Sequence, residues 1–310
     1  MKTFHSVESF SSKTPTVLTI GTFDGIHIGH KKILHKLITI AKERNLESLV
    51  LTFFPHPRMV LQKDADIKLI HTIDERTTIL NSLGLHNLIV QPFSKEFSRL
   101  TATEFVRDIL VQQLNVKHII VGYDHRFGRN RTANIDNLKE FGLIYDFTVE
   151  EISAQDINDV AVSSTKIRKA LTDGDIQTAN KYLDDSFQLN GVITVGKGIG
   201  RTIDFPTANI SIAEDYKMIP KNGVYIATAT IDNKTYNGMM NIGHNPTVNG
   251  KTQTIEIHLF NFNKDIYHKN ISVKILKRIR NEYKFKSVYA LKNQLSKDQN
   301  DALIYFKNND

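Results

Sequence analysis

The sequence predicts two domains: an α/β domain built on a parallel sheet, and behind it a smaller, mainly antiparallel β domain. Three observations carry this. The chain, at 310 residues, exceeds one ordinary compact domain of roughly 100–200 residues. Residues 1–184 alternate short apolar runs with amphipathic stretches, and from about residue 188 the rhythm becomes strand after strand, punctuated by Gly, Asn and Pro. Strand–helix alternation yields a parallel sheet covered on both faces, whereas successive strands with turn residues yield a meander or small barrel.

Element by element, TVLTIG (16–21) is a buried strand, and Ile33, Leu34, Leu37, Ile38 and Ala41 form one helical stripe after it. LESLVLTFF, NLIVQPF and VKHIIVGYD repeat the strand signal, with helices predicted in DERTTILNSLG and TATEFVRDILVQQL. The helical KALTDGDIQTANKYL closes the first half, so the boundary is placed between 184 and 185. QLNGVITVG, GVYIATATI, YNGMMNIG, TQTIEIHLFNF and ISVKILKRI are the strands of the second half, and SVYALKNQLSKDQNDALIYFK is a final helix.

Composition narrows the class. With 40% apolar and 24% charged residues the chain is expected to be a soluble globular protein. No apolar run approaches the ~20 residues that span a bilayer, and MKTFHSVESFSSKTP lacks the apolar centre of a signal peptide. The absence of cysteine excludes disulfides and thiolate metal sites, in keeping with a cytoplasmic location. Net charge is +7, and residues 185–310 hold 17 basic against 11 acidic side chains. That excess suits a phosphate-rich ligand, nucleic acid included, or a solvated surface.

GTFDGIHIGH (21–30) lies where the first long strand ends and a helix begins, a junction whose free backbone N–H groups and helix dipole attract anions. Gly21, Gly25 and Gly29 let the backbone approach phosphate, and His27 and His30 stand about one turn apart, placed to donate to the same phosphoryl oxygens. Two metal ligands, or two ordinary surface histidines, are the alternative readings. Later in the half, VSSTKIRKAL offers Ser163, Ser164 and Thr165 as helix caps, with Lys166 and Arg168 as charge for a triphosphate. In the second half, GKGIGRTIDFPTANI joins a glycine-rich basic loop (Gly196, Lys197, Gly198, Gly200, Arg201) to a polar turn. Thr207 and Asn209 there are oxygen-bearing residues suited to Mg²⁺. In TQTIEIHLF, Ile255, Ile257 and Leu259 share one strand face, leaving Glu256 on the other as a solvent-facing residue or a general base.

Taken together these motifs resemble the bacterial bifunctional riboflavin kinase/FMN adenylyltransferases, also called FAD synthetases. The resemblance runs through GTFDGIHIGH, FFPHPR, VGYDHRFG and SSTKIR in the first half. GRTIDFPTANI, NGVY, NIGHNPT, IEIHLF and IRNEYKF carry it through the second. It implies a Rossmann-like nucleotidyltransferase domain (1–184) followed by a six-stranded antiparallel flavokinase β-barrel with a C-terminal helix (185–310). The barrel would make FMN from riboflavin and ATP, and the sheet domain would make FAD and pyrophosphate from FMN and a second ATP. By the same resemblance, Gly21, Phe23, Asp24, His27, Gly29, His30, Ser164, Thr165 and Arg168 would bind the adenylylating ATP. Phe54, His56, Pro57 and Asp124 would approach the flavin. In the barrel, Gly196, Lys197, Gly198, Gly200, Arg201, Thr207 and Asn209 would hold ATP with its Mg²⁺. Glu256 would be the catalytic base, and Arg280 would lie on the flavin side. The sequence departs from the family's usual residues at Asp204 and His268, where Gly is usual, at His125 for Phe, at Asn281 for Asp, and in RNRTAN (129–134), which lacks a glycine. The implied partners are small molecules, with neither nucleic acid nor membrane, for a monomer or weak homo-oligomer. Two other readings remain: an adenylyltransferase with a different acceptor, and a basic nucleic-acid-binding barrel.

Overall fold

The computed structural model describes residues 1–62, 66–123, 125–153, 162–196, 199–247 and 250–309. Packing divides the chain into two compact units, Met1–Ser164 and Thr165–Asp310.

In the first unit, six parallel strands are ordered β1 (Lys2–Phe4), β4 (Asn87–Pro92), β3 (Glu47–Phe54), β2 (Thr16–Ile20), β5 (Val116–Gly122) and β6 (Thr148–Ile152). The chain runs outward from β2 through β3 to β4 and then returns to β5, so the order reverses between β2 and β5. In open α/β sheets a ligand crevice forms at the carboxyl ends of the strands at such a reversal. Alternation along the strands divides the core in two. Leu18, Leu49, Leu51, Ile89 and Ile119 face one layer with Phe105, Leu110 and Leu138. Val17, Val50, Leu88 and Ile120 face the other with Leu34 and Leu37 of α1 (Ile28–Glu43). The predicted Ile33–Ala41 stripe is buried, while Ile38 is half-exposed. α2 (Pro57–Leu61) and α3 (Ile73–Ser82) follow β3. α4 (Phe105–Gln113) is wound wide, ending with Leu114 N donating to Ile109 O at 2.9 Å.

Sequence reading found four of these six strands. It missed β1, which is three residues long, and β6, an edge strand whose sequence TVEEI carries two glutamates. α5 (Ile135–Tyr145), capped by Asn134, was missed with β6.

The second unit begins with two helices, α6 (Ser164–Asp173, whose first residue the division assigns to the first unit) and α7 (Ile176–Leu183). Strand rhythm starts only at β7 (Phe187–Thr194), which is why it suggests a boundary some twenty residues later. The helices are tied to the barrel: Asn180 Nδ2 donates to Ile275 O at 2.8 Å, and Lys221 N donates to Leu171 O at 3.0 Å. β7, β8 (Ala208–Ser211), β9 (Gly223–Ile231), β10 (Lys234–Thr247), β11 (Gly250–Leu259) and β12 (Asn270–Arg280) close as β10-β11-β8-β7-β12-β9. The sixth strand, β8, is four residues long and hidden within what reads as a turn. Tyr225, Ala227, Met240, Ile257 and Val273 are almost fully buried. α8 (Val288–Asn309) covers the barrel with Ala302 and Phe306 against Phe205, Met239 and Phe260. No described helix is long and apolar enough to cross a membrane.

α8 is anchored by charge. Asp298 has no exposed side-chain surface and accepts from Arg280 Nε at 2.9 Å and Nη2 at 2.7 Å. Removing one partner strands a buried charge at a cost of about 3–5 kcal/mol. Asp298→Ala is therefore expected to move urea unfolding of the barrel to markedly lower concentration. An unchanged midpoint would show that the pair contributes little.

Candidate active sites

The loop between β2 and α1 lies at the reversal in strand order. Asp24, 1% exposed, builds it. Its carboxylate accepts from Ile70 N at 3.2 Å and His71 N at 3.1 Å, with Arg76 Nη2 at 3.9 Å. Arg76 Nη1 donates to Thr22 O at 2.7 Å, and Ser164 Oγ donates to Asp24 O at 2.7 Å. So held, the loop keeps Phe23 at φ 46°, Gly25 at 92° and Ile26 at 32°, a combination that two side-chain-bearing residues adopt only under constraint.

The loop delivers His27 as the N-cap of α1, where Nδ1 accepts from His30 N at 3.3 Å. An imidazole that accepts through Nδ1 carries its proton on Nε2 and can donate there. The two rings stack with centroids 3.7 Å apart, and Phe23 lies 5.0 Å from His30. Burial pushes His27 down to about 4 against the opposing pull of Asp24. Burial, with the neighbouring His27 and Arg76, holds His30 well below its usual value. Both are thus neutral donors at pH 7. His30 Nδ1 is buried with no protein partner among the described residues, which fits a polar atom awaiting a ligand. No cluster of three or more His, Cys, Asp or Glu capable of holding a metal occurs among the described residues.

Other predicted residues of the first unit occupy the same end of the sheet. Phe54 ends β3, and His56 caps α2 by accepting Arg58 N at 3.1 Å, with Pro57 as its first residue. Gly21 leaves β2, its N donating to Leu51 O at 3.1 Å, and Gly29 is buried in the first turn of α1. Ser164 opens α6, with Thr165 exposed and Arg168 half-buried on the same helix. Asp124 lies outside the described residues. Sequence reading missed Arg76. Its signal was a position in line with Ile73 and Leu80 on the apolar face of α3, where a charge needs a buried partner.

In the barrel, Glu256 on β11 stands in register with Asn209 on β8 and Asn241 on β10. Thr207 Oγ1 donates to Glu256 Oε2 at 3.1 Å, so the fold brings together Thr207, Asn209 and Glu256, which come from separate motifs. His258, next on the same strand face, is held neutral by burial and contacts Pro206 O through Nδ1 at 2.8 Å, fixing the segment before Thr207. A Cβ on Gly196 would fall 1.9 Å from Asn209 Nδ2, and one on Gly200 would fall 2.1 Å from Phe205 O. These glycines allow the loop to lie on the polar cluster. Lys197 and Gly198 lie outside the described residues. Arg201 is exposed, with Nη2 donating to Tyr267 Oη at 2.9 Å.

The Arg280 guanidinium contacts Asp298 and Asn281 O and faces the rings of Tyr283 and Phe285. The segment it secures borders the site. Glu282 lies against Gly243, two residues along β10 from Asn241. Asp204 sits at φ 66° and His268 at φ 63°, which is the backbone reason glycine is usual at both places. The carboxylate of Asp204 pairs with Lys292 on α8.

The chain matches the family model of FAD synthetase over residues 9–166 and that of riboflavin kinase over residues 183–306. It belongs to the bifunctional riboflavin kinase/FMN adenylyltransferases. Among curated members it is 38% identical over 306 residues to the protein of Buchnera aphidicola subsp. Schizaphis graminum, covering 97% of each chain. It is 34% identical to that of Bacillus subtilis, covering 99% of each. To that of Escherichia coli K12 it is 35% identical, over 94% of this chain and 92% of the relative. A crystal structure described as a macrolide-efflux protein from Streptococcus pneumoniae shares the fold, with a TM-score of 0.88 and 31% identity over 96% and 97% of the two chains. A bifunctional riboflavin kinase/FMN adenylyltransferase makes FMN from riboflavin and FAD from FMN, each with ATP. The FAD synthetase match covers the N-terminal region and the riboflavin kinase match the C-terminal one.

Two outcomes follow from this geometry. His27 titrates near 6.5 when unfolded and near 4 when folded, so the unfolded chain binds a proton that the folded loop refuses. Its contribution is complete above pH 6.5 and is lost as pH falls toward 4. Urea unfolding of wild type should weaken across that window, and His27→Gln should flatten the decline; an unaltered slope would clear His27. Asp204→Gly should leave the KM of the kinase for ATP unchanged, because glycine accepts φ 66° and an exposed pair contributes only about 0–1 kcal/mol. Asp204→Val, β-branched at the same angle, should raise it.

Proposed function

We propose that the stacked, neutral His27–His30 pair binds the reacting phosphates in FAD formation, and that Glu256 is the base in FMN formation. The observation that carries the first assignment is the buried, unpartnered His30 Nδ1 beside a helix N-terminus at the strand-order reversal. An FMN phosphate oxygen attacks the α-phosphorus of ATP, and pyrophosphate leaves. The nucleophile is already anionic and needs no base, so donors that stabilise the growing phosphoryl charge are what the site requires. Gly21, Phe23, Asp24, Gly29, Ser164, Thr165 and Arg168 complete the ATP side. Phe54, His56, Pro57 and Asp124 serve the flavin.

In the barrel a neutral hydroxyl must attack, so a carboxylate has a role. Glu256 takes the proton of the riboflavin 5′-hydroxyl as the oxygen attacks the γ-phosphorus, and ADP leaves. Thr207 is hydrogen-bonded to Glu256, and Asn209 stands opposite it in register. Hard oxygen donors with few carboxylates fit Mg²⁺, which keeps waters and bridges phosphates. Thr207 and Asn209 would hold it, and it would offset the charge of the triphosphate. Gly196, Lys197, Gly198, Gly200 and Arg201 wrap the nucleotide, and Arg280 supports the flavin side by holding the 281–286 segment. Residues 1–184 thus serve adenylylation and 185–310 phosphorylation, in a cytoplasmic monomer or weak homo-oligomer.

Purified variants separate the two assignments. Glu256→Ala should lower FMN formation about 10²–10⁴-fold and leave FAD formation from added FMN intact. His30→Ala should do the reverse, by about 10²-fold or more. Equal loss of both activities in either variant would contradict the division.

A further inference from the structure

The adenylylation site must take FMN and refuse riboflavin, and the two differ only by a phosphate. A chain of rings links the carboxyl ends of β4 and β3 to the segment after β5. Phe53 of β3 meets Phe93 and Phe97 beyond β4 at 5.6 and 5.7 Å, Phe97 meets Phe105 at 6.3 Å, and Phe105 meets Phe127 beyond β5 at 6.1 Å. Directly after β5, at the strand-order reversal, the chain places three arginines, Arg126, Arg129 and Arg131, all exposed. No guanidinium among them has a hydrogen bond or ion pair with any described residue.

The turn that presents them is closely built. Phe127 and Ala133 exchange backbone hydrogen bonds of 3.1 and 3.2 Å, Arg131 N donates to Gly128 O at 2.9 Å, and Thr132 Oγ1 donates to Arg129 O at 3.1 Å. Gly128 at φ 71°, Asn130 at 55° and Arg131 at 57° are all left-handed. A Cβ on Gly128 would lie 3.0 Å from Ala102 N. A turn with three left-handed residues, pinned by its own backbone, fixes where its two central arginines leave the chain. Surface arginines are ordinarily paired with acidic neighbours or spread over a face. Here they have no partner among the described residues and stand beside an aromatic run, at the end of the sheet where ligands collect.

We infer that Arg129 and Arg131, with Arg126 beside them, hold the 5′-phosphate of FMN and so select the phosphorylated flavin. Guanidinium recognises phosphate by paired, charge-assisted hydrogen bonds, and riboflavin offers nothing to satisfy them. The inference rests on FMN adenylylation occurring at this end of the first sheet. A wild-type protein that failed to convert FMN to FAD would defeat that reading, not this one.

The test is Arg129→Gln/Arg131→Gln in the full chain, assayed for FAD formation against FMN, ATP and KCl concentration. The KM for FMN should rise about tenfold or more, given the strength of charged hydrogen bonds. kcat and the KM for ATP should be largely kept. The wild-type rise of the FMN KM with KCl should flatten in the variant, since fewer charges remain to be screened. An unchanged KM for FMN overturns the inference, as does an equal rise in the KM for ATP or an undiminished salt dependence. In the reverse reaction, a raised KM confined to pyrophosphate would assign the arginines to the leaving group and also overturn it.

Discussion

The buried carboxylate of Asp24 is the constraint on which the loop carrying His27 and His30 depends. A charge in that position must be neutralised and fully hydrogen-bonded, and the chain meets this by drawing in the backbone of Ile70 and His71 and the side chain of Arg76. Arg76 in turn fixes Thr22. With residues 22 and 24 immobilised, the loop follows a left-handed path through Phe23, Gly25 and Ile26 that would otherwise be unfavourable. His27 then arrives at the cap of α1 with its ring on His30. The polar network is structural, and the chemistry lies one step outside it.

The barrel solves the opposite problem with opposite means. Its polar cluster lies where the short strand β8 pairs with β11, and glycine in the preceding loop permits a close approach that no side chain would allow. Here the acidic group is reachable and the histidine on the same face, His258, is buried against Pro206 and spent on positioning. In the sheet domain the acid is buried, and His30 of the stacked histidine pair keeps a buried nitrogen with no partner among the described residues. A reaction whose nucleophile is already anionic needs donors, and one whose nucleophile is a neutral alcohol needs a base. The roles proposed for Glu256 and for the histidine pair follow from that difference.

Much of this was legible in the sequence because it rests on local signals. Strand-loop-helix context marked His27 and His30, and alternation along TQTIEIHLF separated Glu256 from the apolar face. What remained hidden depends on partners far apart in the chain. Nothing near Asp24 announces Ile70, His71 or Arg76, and nothing near Arg280 announces Asp298. β8 was hidden because four residues beside a proline read as a turn until β7 and β11 supply the pairing. The departures at Asp204 and His268 needed backbone angles to explain them, since residue type alone does not reveal a left-handed position. The division into units differed from the strand rhythm because α6 and α7 are secured by contacts to β12 and to the chain before β9.

The most direct test of two chemistries on one chain is a time course. Purified protein is incubated with riboflavin, ATP and Mg²⁺, and the flavins are separated by chromatography. FMN should rise first and then decline as FAD accumulates. FMN that accumulates with no FAD, or riboflavin left unconverted while added FMN still yields FAD, would contradict the account.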